Sequence, residues 1–431
     1  ALKNLEEIIT QKGLSFVLKE IEWPLIPVVE YMHEVGIKID IHQLKTLSRE
    51  YTKRLKDLEK KIWEDAGQEF NINSPKQLSE ILFDKLQLGG KNIKKTSTGA
   101  KSTKESELEK MKGSHPIIDS ILEYRELAKL LSTYIDVLPT LADEKDRVHT
   151  SFSQLGAATG RMSSNNPNLQ NIPIKSELGR AIRQAFIAED GYTLVSFDYS
   201  QVELRIAAIL SQDQGLIDIF KHGIDVHTGV AASVFGVSEK EVTKEMRRQA
   251  KVINFGILYG MGVNALKANL GSTQAEAKKF YEDYFKKFSG LAEYLNKVKF
   301  EVSKTGYTET LFGRKRYFEG INSKLPFIRA AAERMAINAP VQGTSADMIK
   351  ISMKVIFQKL QALGLTKDVR MLLQVHDELL FEIRTPEVKK VAQMIQQTME
   401  SVVTPEQSHG VPILTSANAG KNWNQLEPLE F

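Results

Sequence analysis

Residues 369–383 read VRMLLQVHDELLFEI. Two apolar runs, Val369–Val375 and Leu379–Ile383, are separated only by His376, Asp377 and Glu378, which leaves room for a hairpin between two strands and nothing larger. Upstream, residues 193–197 (TLVSF) form a third short buried strand that stops at Asp198 and leads through Tyr199, Ser200 and Gln201 into a helical run from Val202 to Leu210. The region between is mainly helical and has no internal repeat. Thr243 reads as a helix cap, and Thr273 with Glu276 as a capping box. The expected class is α+β, not a βαβ nucleotide fold.

The acids at the strand ends carry the first chemical suggestion. Taken alone, Asp198 reads as a helix N-cap, and Asp377 with Glu378 as solvated turn residues. Joined on one sheet, the two aspartates could instead bind a pair of Mg²⁺ ions roughly 3.5–4 Å apart for an in-line phosphoryl displacement.

Residues 243–260 (TKEMRRQAKVINFGILYG) add a second suggestion. Arg247, Lys251, Phe255 and Tyr259 recur every four residues, so each is displaced by ~40° and all four share a ~120° helical face about 18 Å long. Two cations followed by two aromatics suit a nucleoside triphosphate, phosphates on the cations and sugar and base against Phe255. The alternative is aromatic core with a solvated basic flank. Gly256 and Gly260 weaken a helix and are better explained by something approaching closely.

Residues 158–173 (ATGRMSSNNPNLQNIP) are crowded with turn residues and hydrogen-bonding side chains; Arg161, Asn168, Gln170 and Asn171 could reach phosphates, sugars and minor-groove base edges, or simply form a turn-rich loop. Arg314, Lys315 and Arg316 make a basic cluster. Residues 334–350 set Asn338 and Gln342 in an otherwise apolar helix, where such residues serve as satisfied core groups or as nucleic-acid contacts.

Toward the N-terminus, Asp40 caps a helix whose apolar stripe runs Leu44, Leu47, Tyr51, Leu55, Leu58, Ile62 and ends near Gly67. A second stripe from Ile117 to Leu138 is suited to pack against it as an antiparallel pair. Between them Ser74, Pro75 and Gln77 announce a short capped helix. Residues 89–104 (GGKNIKKTSTGAKSTK) then carry five lysines and no acid, which predicts a mobile tip without a core, either solvated or gripping a phosphate backbone.

The 431 residues suffice for two to four domains. A net charge of +4 announces no nucleic-acid partner by itself. The absence of cysteine excludes disulfides, thiolate metal sites and a cysteine nucleophile, and fits a reducing compartment. No apolar run approaches the ~20 residues of a membrane span, so the expected location is cytoplasmic, nucleoid-associated in a bacterium. Ala1 in place of Met reads as the start of a trimmed fragment.

Together these motifs resemble the polymerase region of family A DNA polymerases, the bacterial DNA polymerase I large-fragment type. DYSQVELR (198–205) looks like that family's first palm motif, RRQAKVINFGILYG (247–260) its fingers-helix motif and QVHDE (374–378) its second palm motif. TGRMSSNNPNLQNIP and RMAINAPVQGT also match, in the family's order, and the resemblance covers the chain from about Trp23 to the end.

The resemblance implies a right-hand architecture: an N-terminal lead-in over 1–40, a helical thumb over 41–145, an antiparallel palm over 146–215 and 331–431, and helical fingers over 216–330. It implies two Mg²⁺ ions, replaceable by Mn²⁺, on Asp198 and Asp377 with help from the Tyr199 carbonyl and with Glu378 close by. Arg247, Lys251 and His227 would hold a dNTP, with Gln201 also in the nucleotide site, Glu203 under the sugar excluding a 2′-hydroxyl, Phe255 shaping that pocket and Tyr259 near the template base. Arg161, Gln170, Asn171, Arg314, Asn338, Gln342 and His376 would contact primer–template DNA. Lys175 stands where many members carry arginine and cannot make the same bidentate contact.

About twenty residues precede Trp23, too few for the 3′-to-5′ exonuclease domain that members often carry, so a monomeric polymerase without proofreading is expected. A phage-type single-subunit RNA polymerase is the rival enzyme, against which Glu203 and the NFG of the fingers motif argue. A non-catalytic DNA-binding protein is the rival from another class; the intact carboxylates and cations argue against it.

Overall fold

The computed structural model describes residues 2–89, 93–96 and 99–431. Its centre is a five-stranded antiparallel sheet of β1 (Tyr192–Tyr199), β2 (Val369–Val375), β3 (Glu378–Arg384), β4 (Thr415–Asn422) and β5 (Gln425–Pro428), in spatial order β5-β4-β1-β3-β2. The three strands expected from sequence all form. β4 and β5 were not expected, because residues 415–422 (TSANAGKN) are small and polar and carry no apolar alternation.

Side-chain alternation gives each strand two faces. Val195, Phe197 and Tyr199 of β1 join Leu379, Phe381 and Ile383 of β3 in one core, while Leu194 and Leu380 join a second core on the opposite face. A bulge between Met371 and Leu373 breaks the alternation in β2, so Leu372 and Leu373 both enter the second core.

That second core is closed by α1 (Ile41–Ala66) and α2 (Pro116–Leu130). Asp40 accepts the Gln43 N–H at 2.9 Å, and Gly67, with φ 68°, ends α1. Ser48 bonds Asp136 and Arg54 pairs with Glu123, so the two helices run antiparallel. The second stripe is interrupted: residues Leu131–Ile135 are wound as a wider π turn before a last short helix at Leu138–Leu141. Ser74 caps its short helix, but the Gln77 side chain turns to the Asn71 N–H and completes no reciprocal box.

The first core gathers α3 (Val202–Ser211), α4 (Val226–Phe235), α5 (Lys244–Leu258) and the 37-residue α6 (Pro326–Ala362). Thr243 caps α5 and the Thr273–Glu276 box is complete. Among the described residues no helix is long and apolar enough to cross a membrane.

The basic segment 89–104 falls partly outside the described residues, Lys91 included. Its described part departs from the expected featureless tip. Lys95 and Lys101 bridge as in a hairpin, the Ser102 N–H donates to the Lys94 carbonyl, and the Arg125 guanidinium donates to the Thr103 carbonyl, with Ser102 and Thr103 buried. Polar residues from outside the segment supply the anchorage that its own composition lacks.

Candidate active site

Asp198 is no helix cap. It lies within β1, and the cap position of α3 is Gln201, held at φ 53° in the turn that joins strand to helix. In the β1–β3 register Asp198 stands directly opposite Glu378, on the same sheet face because both fall on the even side of the alternation. Asp377 occupies the adjoining hairpin tip beside exposed His376, whose φ of 56° makes the reversal. The Tyr199 N–H donates to the Asp377 carbonyl at 3.3 Å, which fixes the tip against the end of β1.

Like charges opposite one another disfavour ionisation. The Asp198 carboxyl is pushed up to about 7, first by crowding among protein atoms that strip part of its hydration and then by Glu378 and Asp377. Its tip still opens to solvent. Burial raises Glu378 as well, against the opposing pull of Arg183 and of the bonds from Trp423 and Ser196. None of the three carboxylates is ion-paired to a lysine or arginine among the described residues. Among the described residues no group of three or more acids and histidines is arranged as a metal cage, and the oxygen donors here are the neighbouring carboxylates of Asp198, Asp377 and Glu378. Hard oxygen donors whose mutual repulsion a cation would relieve fit Mg²⁺ or Mn²⁺.

On α5 the four-residue spacing resolves in favour of an exposed stripe. Phe255 is 37% and Tyr259 50% exposed, and Arg247 and Lys251 are exposed too, while Ala250, Ile253, Ile257 and Leu258 face the core. The close approach that the glycines implied comes from the protein itself: a Cβ on Gly256 would meet the Met261 side chain at 2.5 Å, and one on Gly260 would meet Arg334 at 2.8 Å.

Arg247 gives Nε and Nη2 to the two Asp225 oxygens, each at 2.9 Å. Lys251 has no hydrogen bond or ion pair among the described residues. His227 is buried at the start of α4, its ring centroid 5.6 Å from that of Phe255. The Asn254 amide nitrogen lies 3.1 Å from its Nδ1. Burial, together with nearby Arg247 and Lys251, lowers the His227 pKa against the pull of Asp225, so the ring is held neutral.

Glu203, in the first turn of α3, is buried and bonded on both oxygens: Arg161 Nη2 donates to Oε1 at 2.9 Å and the Tyr259 hydroxyl to Oε2 at 3.1 Å. Gln342 bonds the same hydroxyl. Burial raises Glu203, Arg161 opposes it, and Asp377 is close enough to add to the rise. The end of α5, the start of α3 and the carboxylate tip therefore border one site.

Like Arg161, three further residues expected to touch DNA make bonds within the protein here. Arg314 is largely buried and pairs with Glu22 and Asp347. Asn338 is buried in α6 and donates to the Leu258 carbonyl at 2.9 Å, bracing the end of α5. Gln170 spends its amide on Gln374, at 3.0 and 3.1 Å, which steadies the strand before the hairpin tip. In each case a polar side chain within a packed segment found a protein partner first. Asn171 and His376 remain exposed.

The sequence reading passed over the residues that hold these groups. Ser345 of α6 donates to Asp377 Oδ1 at 2.8 Å, and Trp423, between β4 and β5, donates to Glu378 Oε1 at 3.3 Å. The Arg183 guanidinium lies 3.9 Å above the Trp423 ring. Asp225 alone carried a signal, as a cap two residues before the expected phosphate ligand His227; the others come from distant parts of the chain.

Residues 41–425 match the model of DNA polymerase family A. The chain is 45% identical over 420 residues to a thermostable DNA polymerase I of Thermus thermophilus, covering 97% of this chain and 49% of that protein. It is 47% identical over 407 residues to DNA polymerase I of Deinococcus radiodurans, covering 94% and 41%. The chain thus spans about half the length of the curated relatives it matches. Among solved structures, the POL domain of Pol1 from M. smegmatis, in complex with DNA primer-template and dNTP, superimposes with a TM-score of 0.90 at 38% identity, covering 97% of this chain and 73% of that one.

Proposed function

This chain belongs to DNA polymerase family A, and from that premise we propose that it adds dNTPs to the 3′ end of a DNA primer under the direction of a template. The observation that carries the proposal is the cross-strand pair Asp198–Glu378 with Asp377 at the adjoining tip, bordered by the exposed stripe of α5. The M. smegmatis POL domain, a relative bound to primer-template and dNTP, supports the choice of partners.

In this reading the thumb spans about 41–145, the fingers 216–330 and the palm the remaining segments from 146. Asp198 and Asp377, with the Tyr199 carbonyl, would hold two Mg²⁺ ions. When bound, such a pair activates the attacking 3′-hydroxyl and neutralises charge on the leaving pyrophosphate.

The protein's own groups do the rest. Arg247 exchanges Asp225 for the triphosphate, joined by Lys251 and by His227. Phe255 covers the sugar. Glu203, fixed from both sides by Arg161 and Tyr259, forms the floor beneath C2′; a 2′-hydroxyl would have to displace a buried, fully bonded carboxylate. Asn171, Gln342 and His376 border the path of the primer–template.

Primer extension tests this directly. Wild type is expected to extend a DNA primer with dNTPs far faster than with rNTPs, in a reaction that chelation stops. Asp377→Ala should lower the rate at least about a thousand-fold while primer–template affinity stays within about threefold. Unprimed synthesis from rNTPs, or full activity in Asp377→Ala, would overturn the proposal.

A further inference from the structure

Glu22 lies outside the 41–425 region that matches the family, at the start of the helix Trp23–Val35. Its carboxylate is nonetheless the hub of a largely buried charge network behind the nucleotide site. Oε1 receives Lys350 Nζ at 2.8 Å and Arg314 Nη2, and Oε2 receives Gln154 Nε2 at 2.6 Å. Gln154 donates also to the Glu22 carbonyl at 2.8 Å, and its own carbonyl accepts from Lys350 at 3.3 Å. Lys350 is 1% exposed. Burial pushes the Glu22 carboxyl up, but Lys350 and Arg314 outweigh it and hold the group below the ordinary carboxylate range.

These bonds tie the start of the segment that leads to Arg161 and hold the Arg314 side chain against which its end packs. Gln154 is tied at its start. Near its end Gly160, at φ 85°, lies so close to Arg314 that a Cβ there would meet the Arg314 side chain at 2.8 Å. Arg314 is itself held by Asp347 at 2.7 Å, and Asp347 by Thr310 at 2.7 Å. The residue after Gly160 is Arg161, which reaches Glu203.

We propose that Glu22 is a positioning residue for nucleotide addition, holding residues 154–160 so that Arg161 meets Glu203 at the floor of the site. The proposal rests on the polymerase reading given above. Removing the negative charge takes the shared carboxylate from Arg314 and Lys350, leaving Arg314 on Asp347 and Gln154 without its charged partner, and the segment is expected to loosen toward the site.

A double-mutant cycle tests it in the full chain. Glu22→Gln should lower the single-turnover extension rate about tenfold with the KM for dNTP within about twofold, and Arg161→Ala should lower it more. In the Arg161→Ala background Glu22→Gln should then change the rate by less than about twofold. A folded Glu22→Gln protein with wild-type rate, or the same tenfold loss in both backgrounds, would overturn the proposal. If Glu22→Gln melts at assay temperature, Gln154→Ala, which cuts the tether and spares the ion pairs, replaces it with the same expectations. Amide hydrogen exchange over residues 155–161 reads the tether without activity: faster exchange in either variant is expected, and unchanged exchange would sink the idea even if wild type failed to extend primers.

Discussion

Arg247 has to change partners if it serves a triphosphate, and the partner it leaves is Asp225. Burial pushes the Asp225 carboxyl up, but the Arg247 bonds and the two from Thr228 bring it down to about 2. A depressed carboxyl contributes stability that is fully present above its ordinary value of 3.8 and is lost as pH falls from there toward about 2. Both side chains are more than a third exposed, so the contribution is under about 1 kcal/mol. Asp225→Asn keeps a cap for α4 and releases Arg247. The dNTP KM is expected to fall about two- to fivefold with kcat unchanged, and the small loss in Tm relative to wild type should vanish as pH approaches about 2. A rise in KM would mean that Asp225 orients Arg247 instead of withholding it.

At the scale of elements, α5 presents cations and aromatics to the site only because its far side is packed tightly. Gly260, just beyond its end, has φ 68° and sits 3.1 Å from the Arg334 Cα by its missing Cβ. Gly260→Ala is expected to destabilise the protein by about 1–2 kcal/mol from backbone strain plus the clash with α6. Gly262 has φ −94° and open space around it, so Gly262→Ala should leave stability within about 0.5 kcal/mol. Urea denaturation of the two variants separates the cases; equal losses would remove the explanation. The stripe was legible in the sequence because a four-residue period is a local property of a helix. What Gly260 accommodates was not, because Arg334 lies more than seventy positions away.

For the whole molecule, Glu382 ties distant segments together. It is fully buried in β3, accepts Arg147 at 3.0 Å, Arg370 at 2.8 Å and the Glu189 N–H at 2.8 Å, while Arg147 also donates to the Val35 and Gly36 carbonyls. The central sheet, the helix Trp23–Val35 and the strand residues at 147–148 are joined through one carboxylate. Glu382→Ala should cost about 3–5 kcal/mol by leaving Arg147 buried without its nearer carboxylate, Glu189 standing at 3.4 Å, read as a drop in the urea midpoint. A loss under about 1 kcal/mol would show that water takes over the pairing. By itself the sequence determined the strands around Asp198 and Asp377, caps such as Asp40, Thr243 and Thr273, and the common helical face of Arg247, Lys251, Phe255 and Tyr259, since alternation, capping and helical period are set by neighbours a few residues apart. Only the tertiary structure decided that Asp198 faces Glu378, that Arg314, Asn338 and Gln170 are occupied within the protein, and that Glu22 anchors the Arg161 segment. Pairing of strands and satisfaction of buried charge depend on which distant groups the fold brings within about 3 Å, and no local pattern encodes that.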